Sequence, residues 1–241
     1  MAKFHKIHPI PICRLTVEKG GFLFLHMKEY GKKVSIPVYV WLIEGGEEPV
    51  LVDTACTAED FSKYTLYAEE LEDISPIEEA LPKAGVSLSD IKTIIITHLD
   101  ADHILNTRKF PNARLIVQEE EMSFARNPHP FFANKYHQHL YEGLDWETVR
   151  GDKEIIPGVE VMFTPGHTAG GQSIAVTTER GKVVIPGLCS IDENYDTEAV
   201  SIPGMHFDPI KAYDSVVRIR KMADVVLPTH SQSLVNTKSF P

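Results

Sequence analysis

No stretch of this 241-residue sequence approaches eighteen consecutive apolar residues, the length that a membrane-crossing helix requires, so no membrane span and no membrane partner are expected. The first residues, Met1 to His8, carry no apolar signal core ahead of a small-residue cleavage site, and the expectation is retention in the cytoplasm. Cysteine is scarce. Cys13, Cys56 and Cys189 are too few and too scattered for a disulfide framework, which leaves reduced thiols as the default. A basic excess is missing too: the formal net charge is −10, whereas a phosphate-binding surface needs clustered cations, so nucleic acid is excluded as a partner. No glycine-rich phosphate loop is present, and no low-complexity linker divides the chain. Residues 1–241 therefore read as a single domain, and 43% hydrophobic content is enough for a full core. The acidic surplus at Glu69 to Glu79 and Glu119 to Glu121 reads as solvated helix faces.

What the chain does have is short β-branched and aromatic segments separated by turns. Residues 9–17, 21–25, 34–43 and 49–53 read as strands of an antiparallel sheet. Residues 55–74 give no regular pattern. Ser75, Pro76 and Glu78 predict an N-cap, a first helical position and a capping-box residue, with Ile77, Leu81 and Ala84 on one face. Pro82 limits that helix and Gly85 ends it. A short helix or turn at 87–90, a strand at 91–97, a turn of helix, a strand at 113–118 and a helix at 119–125 follow. Residues 127–150 mix aromatics, His and Pro without a period, as a lid over a pocket or a packed helical insertion would. His137-Gln138-His139 within it reads as surface polar residues. Strands at 159–164, 172–177 and 182–186 come next. Asp208 and Pro209 then open a helix to about Met222, with Ile210, Val217 and Met222 among its apolar positions, before a last strand at 225–227.

The densest chemistry lies at Thr97 to His103, directly after the apolar run Ile94 to Ile96. Four ligand-type side chains, His98, Asp100, Asp102 and His103, fall within six residues. A strand ending in such a cluster delivers its ligands to a sheet edge, where loops hold them. Imidazole and carboxylate suit Zn, Fe or Mn, and the concentrated negative charge needs a cation. A helix N-cap would account for one Asp; it leaves two His and a second Asp unexplained. His167, within Thr164 to Ser173, and His230, after Leu227, also follow strands. Either alone reads as a satisfied loop histidine. With the cluster, in this chain order, they complete a pattern.

That pattern resembles the metallo-β-lactamase superfamily, whose members carry H-x-H-x-D-H, then G-H-T-x-G, then a late His, on loops at one sheet edge. Leu51 to Thr54 matches the family's early strand-end Asp, so the resemblance spans nearly the whole chain. Ile36 to Ile43 and Leu115 to Glu121 look most like the N-acyl homoserine lactonase group. The resemblance implies an α/β fold of the α+β kind: a four-layer αββα sandwich of two mixed β-sheets flanked by helices. It implies a first metal site of His98, Asp100 and His167 and a second of Asp102, His103 and His230, with Asp53 supporting the ligand loops.

Two departures stand out. Asp100 replaces the family's middle His with a harder oxygen donor, which makes Fe or Mn more competitive with Zn. Where the family has a bridging Asp after a strand, this chain reads Gly187-Leu188-Cys189. Leu188 ligates nothing. Cys189 is a candidate ligand of the second site, as in the zinc β-lactamases, against the alternative of a buried inert thiol; Asp192 is the fallback.

The reaction implied is attack of metal-activated hydroxide on the carbonyl of a small ester, lactone or cyclic amide, with one or two Zn ions as cofactor. Asp102 would pass a proton to the leaving group, and Tyr195 is a candidate substrate contact. A homodimer is implied by similar lactonases. The competing readings are a di-iron redox protein of the same fold, encouraged by Asp100, and a metal-binding module whose catalysis is weakened or lost with the bridging carboxylate. Substrate walls are expected from residues 20–35 and 127–150.

Overall fold

A computed structural model describes residues 4–64, 68–196 and 198–241. Of the pattern-free stretch 55–74, residues 65–67 lie outside the described residues.

Strands β1 (Lys6–Glu18), β2 (Lys33–Glu44), β3 (Val50–Val52), β4 (Glu70–Asp73), β5 (Thr93–Ile95), β6 (Arg114–Gln118) and β7 (Trp146–Val149) make one sheet in the order β4-β1-β2-β3-β5-β6-β7. Its first four strands pair antiparallel and the rest parallel. Strands β8 (Lys153–Ile156), β9 (Val159–Phe163), β10 (Gln172–Thr178), β11 (Gly181–Ile185) and β12 (Val225–Val226) make the other, ordered β12-β11-β10-β9-β8, with only β11 and β12 parallel among its pairs. Both sheets are mixed, as expected.

Side chains of successive strand residues point to opposite faces, and that period sorts the core into layers. In β2, Tyr39, Trp41 and Ile43 enter the core between the sheets, while Ile36, Val38, Val40 and Leu42 enter the core on the outer face of the seven-stranded sheet. β10 and β11 repeat the logic. Ile174, Val176, Val183 and Ile185 face the other sheet, and Ala175 and Val184 face outward.

Outside the seven-stranded sheet lie short helices, α1 (Lys19–Phe22), α2 (Ala58–Phe61), α3 (Ile77–Lys83), α4 (Ala101–Ile104), α5 (Glu119–Arg126) and α6 (Gln138–Tyr141). After α7 (Glu193–Asp196), the 14-residue α8 (Pro209–Met222) packs on the five-stranded sheet. The result is the αββα sandwich, with the ligand-bearing strand ends along one edge.

Four sequence expectations change. Residues 21–25 do not form a strand; Lys19–Phe22 is a turn of helix whose first amides donate to the Glu18 carboxylate, and Gly20 lies against the backbone of Glu29 and Tyr30. The helix at 77–83 takes Pro76, not Ser75, as its N-cap, and no side chain caps it. On α8, the buried positions are Ala212, Ser215, Val216 and Ile219, set at intervals of three and four, while Ile210 is 70% exposed and Val217 lies on the same outer side. Asp208 does cap that helix, accepting from Ile210 N and Lys211 N. Glu121 is fully buried rather than solvated; Glu119, at the start of the same helix, does face out and pairs with Arg150. No helix among the described residues is long and apolar enough to cross a membrane.

Candidate metal centre

The site assembles where strands stop. β3 ends in Asp53, which together with Ala55 holds a left-handed φ, 58° and 54°, a conformation costly for non-glycine residues and sustained only by surrounding structure. Here the support is visible: the Asp53 carboxylate accepts from Thr97 N at 2.7 Å, from Thr97 Oγ1 at 2.8 Å and from His103 Nδ1 at 2.7 Å. One buried side chain thus fixes the exit of β5 and the turn of α4. The loop between β9 and β10 is pinned from the other sheet, with Gln172 N donating to Thr97 O and Gln172 Nε2 to Ile96 O. Gly166, at φ 128°, sits so close to α8 that a Cβ there would meet Ala212 N at 2.1 Å, and a glycine is required.

These constraints gather His98, Asp100 and His167 into one group of ligand atoms and Asp102, His103 and His230 into another, each within 4.8 Å. The groups adjoin: the rings of His98 and His103 are 4.1 Å apart, centroid to centroid, and His98 and His167 4.8 Å. Every imidazole is oriented through Nδ1. His167 Nδ1 donates to Met205 O at 2.7 Å, and His230 Nδ1 to Pro37 O at 2.9 Å. Thr97 Oγ1 spends its proton on Asp53, so it accepts from His98 Nδ1 at 2.9 Å. That leaves Nε2 of His98, His167 and His230 buried, unprotonated and without a partner.

Three lone pairs in one buried pocket are unfavourable unless something accepts them. A cation does, and fixing the ring through the far nitrogen is how metal-binding histidines are held. The donor set therefore fits a metal ion.

The electrostatics agree. Burial pushes His98 and His167 below the ordinary imidazole range, and burial brings His230 to about 4, so all three stay neutral at pH 7. Asp100 and Asp102 are held below the usual carboxylate range despite their burial, Asp100 by Lys135 foremost and Asp102 by His103. His103 behaves differently: burial opposes its charge, but Asp102 and Asp53 on either side raise it well above the usual value. Its Nε2 proton is the one a metal would displace.

The centre opens into a cleft walled by Leu15, Val17, Phe22, Phe61 and Tyr64, with Asp100, Asp102 and Lys135 at its base. The expected walls are met in part. Phe22 comes from 20–35, and Asn134, Lys135 and His137 from 127–150, while β1, Phe61, Tyr64, Ala68 and Met205 contribute walls the sequence did not suggest. Pro130–Lys135 forms a 3-10 helix, and Phe132 and Phe207 pack with Phe124 at centroid distances of 5.0–6.2 Å. The segment 127–150 is thus a packed insertion that also roofs the cleft. His137 and His139 are not idle surface residues, since both stack on Tyr64, whose hydroxyl lies 2.8 Å from His139 Nε2.

Two functional side chains escaped the sequence. Glu121 accepts from Leu99 N at 3.1 Å and Gly170 N at 2.8 Å, tying together the two loops that carry His98 and His167. Burial raises its pKa, and the two amides pull the other way. The neighbouring glycine is required here as well: a Cβ on Gly170 would meet Glu121 N at 2.1 Å. Lys135 reaches Asp100 Oδ2 at 2.8 Å. The only sequence signal for either was adjacency, of Glu121 to a strand end and of Lys135 to a His-rich insertion.

The remaining candidates lie outside both ligand groups. Cys189 is buried among apolar side chains, and burial pushes its thiol well up, with Asp102 and Asp100 close enough to add to the effect. Asp192 accepts from Ser231 Oγ at 2.6 Å and from Ser233 Oγ at 3.3 Å, bracing the loop after His230. Tyr195 packs with Leu188 and α8, and its hydroxyl donates to Ser190 Oγ at 3.3 Å.

A family model described as the metallo-beta-lactamase superfamily matches residues 36–230. An N-acyl homoserine lactonase of Bacillus thuringiensis is 30% identical over 203 residues, 80% of this chain and 78% of that protein. The N-acyl homoserine lactonase AiiB of Agrobacterium fabrum is 28% identical over 212 residues, 79% and 76% of the two chains. Among solved structures, an N-acyl homoserine lactone hydrolase with the product N-hexanoyl-L-homoserine at its catalytic metal center superposes with a TM-score of 0.78 at 27% identity, over 97% of this chain and 95% of that one. AidC, a dizinc quorum-quenching lactonase, shares the fold at a TM-score of 0.71 and 17% identity, over 96% and 89%.

Proposed function

Because this chain belongs to the metallo-beta-lactamase superfamily, we propose that it is a metal-dependent hydrolase that opens small lactones carrying an apolar acyl chain. The observation that carries the reading is the set of inward, partnerless Nε2 atoms of His98, His167 and His230 beside Asp100, Asp102 and His103, at the base of a cleft with apolar walls. The lactonase relatives supply the substrate class.

In this reading His98, Asp100 and His167 form one ligand group and Asp102, His103 and His230 the other. Bound there, a divalent cation supplies a water whose pKa falls from about 15.7 to about 7 and a Lewis acid for the carbonyl. The chain's own groups do the rest. Asp102 lies at the base of the cleft, partly exposed, within 3.3 Å of His103 Nε2, and would take the proton released by the attacking water and pass it to the leaving alkoxide as the acyl–oxygen bond breaks. Leu15, Val17, Phe22 and Phe61 exclude water and receive the acyl chain. Asp53 and Glu121 keep the ligand loops in register. Two carboxylates among four imidazoles also suit iron or manganese, so metal content is measured first.

The test is hydrolysis by zinc-, iron- and manganese-loaded protein of acyl homoserine lactones of graded chain length, beside simple lactones, aryl esters and a β-lactam. Preferential turnover of acylated lactones is expected. Metal-loaded protein that turns over none of them overturns the assignment.

A further inference from the structure

Two ring nitrogens and one ammonium surround a single oxygen. Asp100 Oδ2 lies 3.7 Å from His98 Nε2 and 3.5 Å from His167 Nε2, and Lys135 Nζ lies 2.8 Å from that same oxygen with its side chain 14% exposed. We propose that Lys135 is the resident cation of the His98–Asp100–His167 group, so that the protein binds one divalent ion tightly, at Asp102, His103 and His230, and a second only weakly. This rests on the metal-centre reading above and refines it.

Three features support the assignment. First, the carboxylate that would neutralise an ion at this group is already paired with an ammonium, and a metal entering there meets a fixed positive charge in a buried setting, where charges are screened little. At the other group the competing positive charge is a proton on His103 Nε2, 3.3 Å from Asp102 Oδ2, which a metal replaces at the ligand atom itself. Second, the two groups share no side chain. Leu188, which follows β11, is buried against α8, and among the described residues no side chain shared by the two groups offsets repulsion between two adjacent cations. Third, the charges favour one ion. Two divalent ions against Asp100 and Asp102, with Lys135 still beside them, leave an excess of three positive charges. One ion plus Lys135 leaves an excess of one.

Lys135 is also placed to stay. It ends the Pro130–Lys135 turn, followed by Tyr136, whose hydroxyl donates to buried Glu121 at 3.3 Å. That turn is anchored by Phe132 on Phe124 and Phe207. The ammonium is therefore delivered by a packed segment and not by a loose surface chain.

The experiment is zinc titration of chelator-stripped full-length protein, read as binding stoichiometry by calorimetry and as metal retained after gel filtration. Wild type is expected to show one tight equivalent, with any second weaker by roughly 100-fold, the upper end of what altering a ligand's partner does to metal affinity. Lys135→Met should gain a second tight equivalent. Lys135→Arg, which keeps the charge, should remain at one, and circular dichroism of both variants shows that they are folded. Two equivalents of equal affinity in wild type, or no gain in folded Lys135→Met, overturns the role of Lys135 while leaving the metal centre standing. Absence of zinc binding in wild type and Lys135→Met alike overturns the metal centre itself, and this inference with it.

Discussion

Asp53 spends both carboxylate oxygens on three donors from a loop some forty residues further along the chain, and it does so from a backbone conformation it would not choose alone. Replacing it with Asn keeps the volume, removes one acceptor and presents an N–H₂ where Thr97 or His103 now donates. Asp53→Asn is expected to lower zinc affinity by about 10- to 100-fold with little change in secondary structure, measured by competition with a chromophoric chelator. The candidate ligands stood out in the sequence because their spacing is local: His98, Asp100, Asp102 and His103 share one strand-to-helix turn. Lys135 and Glu121 were not. Each acts on a loop distant in sequence, and a lone Lys in an irregular stretch or a Glu in an acidic run has the same appearance whether it faces solvent or a buried amide.

At the scale of elements, strands with a clean period were readable and short segments were not. β2 alternates between two cores, and both sets of its side chains are apolar, so its register follows from the pleat. Residues 21–25 have the composition of a strand, yet the two glycines before them and the Glu18 carboxylate favour a helical turn. The inward face of α8 does not follow from its apolar residues alone, because its exposed side also carries Ile210, Tyr213 and Val217.

That helix is fastened to β9 by Arg218, whose Nη1 donates to Phe163 O at 2.7 Å while the guanidinium pairs with Asp152. Asp152 also accepts from Phe163 N at 2.9 Å. Its burial would raise the carboxyl, but Arg218 and that amide hold it below the ordinary value of 3.8. A carboxyl lowered on folding contributes stability above its unfolded pKa and loses it as pH falls through the folded one. Urea midpoints of wild type and Asp152→Asn should therefore differ at pH 7. The difference should narrow below pH 3.8 and vanish once the folded carboxyl protonates. A gap that persists unchanged in acid would assign the effect to packing.

For the whole molecule, the centre is a joint. His98, Asp100, Asp102 and His103 leave the end of β5 in one sheet, while His167 and His230 leave the ends of β9 and β12 in the other. An ion bound to both sets links the two sheets and is absent from the unfolded chain, so its binding adds directly to folding stability. At a free concentration a thousandfold above its dissociation constant the gain is about 4 kcal/mol. Zinc-loaded protein is expected to melt several degrees above chelator-treated protein, with the shift growing as free zinc is raised. Equal melting points with and without chelator would mean that no ion bridges the sheets. The sandwich itself was readable from the order of motifs along the chain. The composition of the cleft was not, because its lining comes from β1, α1, α2, Tyr64, Ala68, the 100–102 turn, Asn134, Lys135, His137 and Met205, regions that meet only on folding.

This division of labour leaves the chemistry and the choice of substrate on separate parts. Ligands hang from strand ends that the sandwich cannot shift without loss, whereas Phe22, Phe61 and Asn134 sit on short turns outside it. Selection, natural or in the laboratory, can therefore lengthen, shorten or block the groove for a new compound while the reactive machinery is inherited intact.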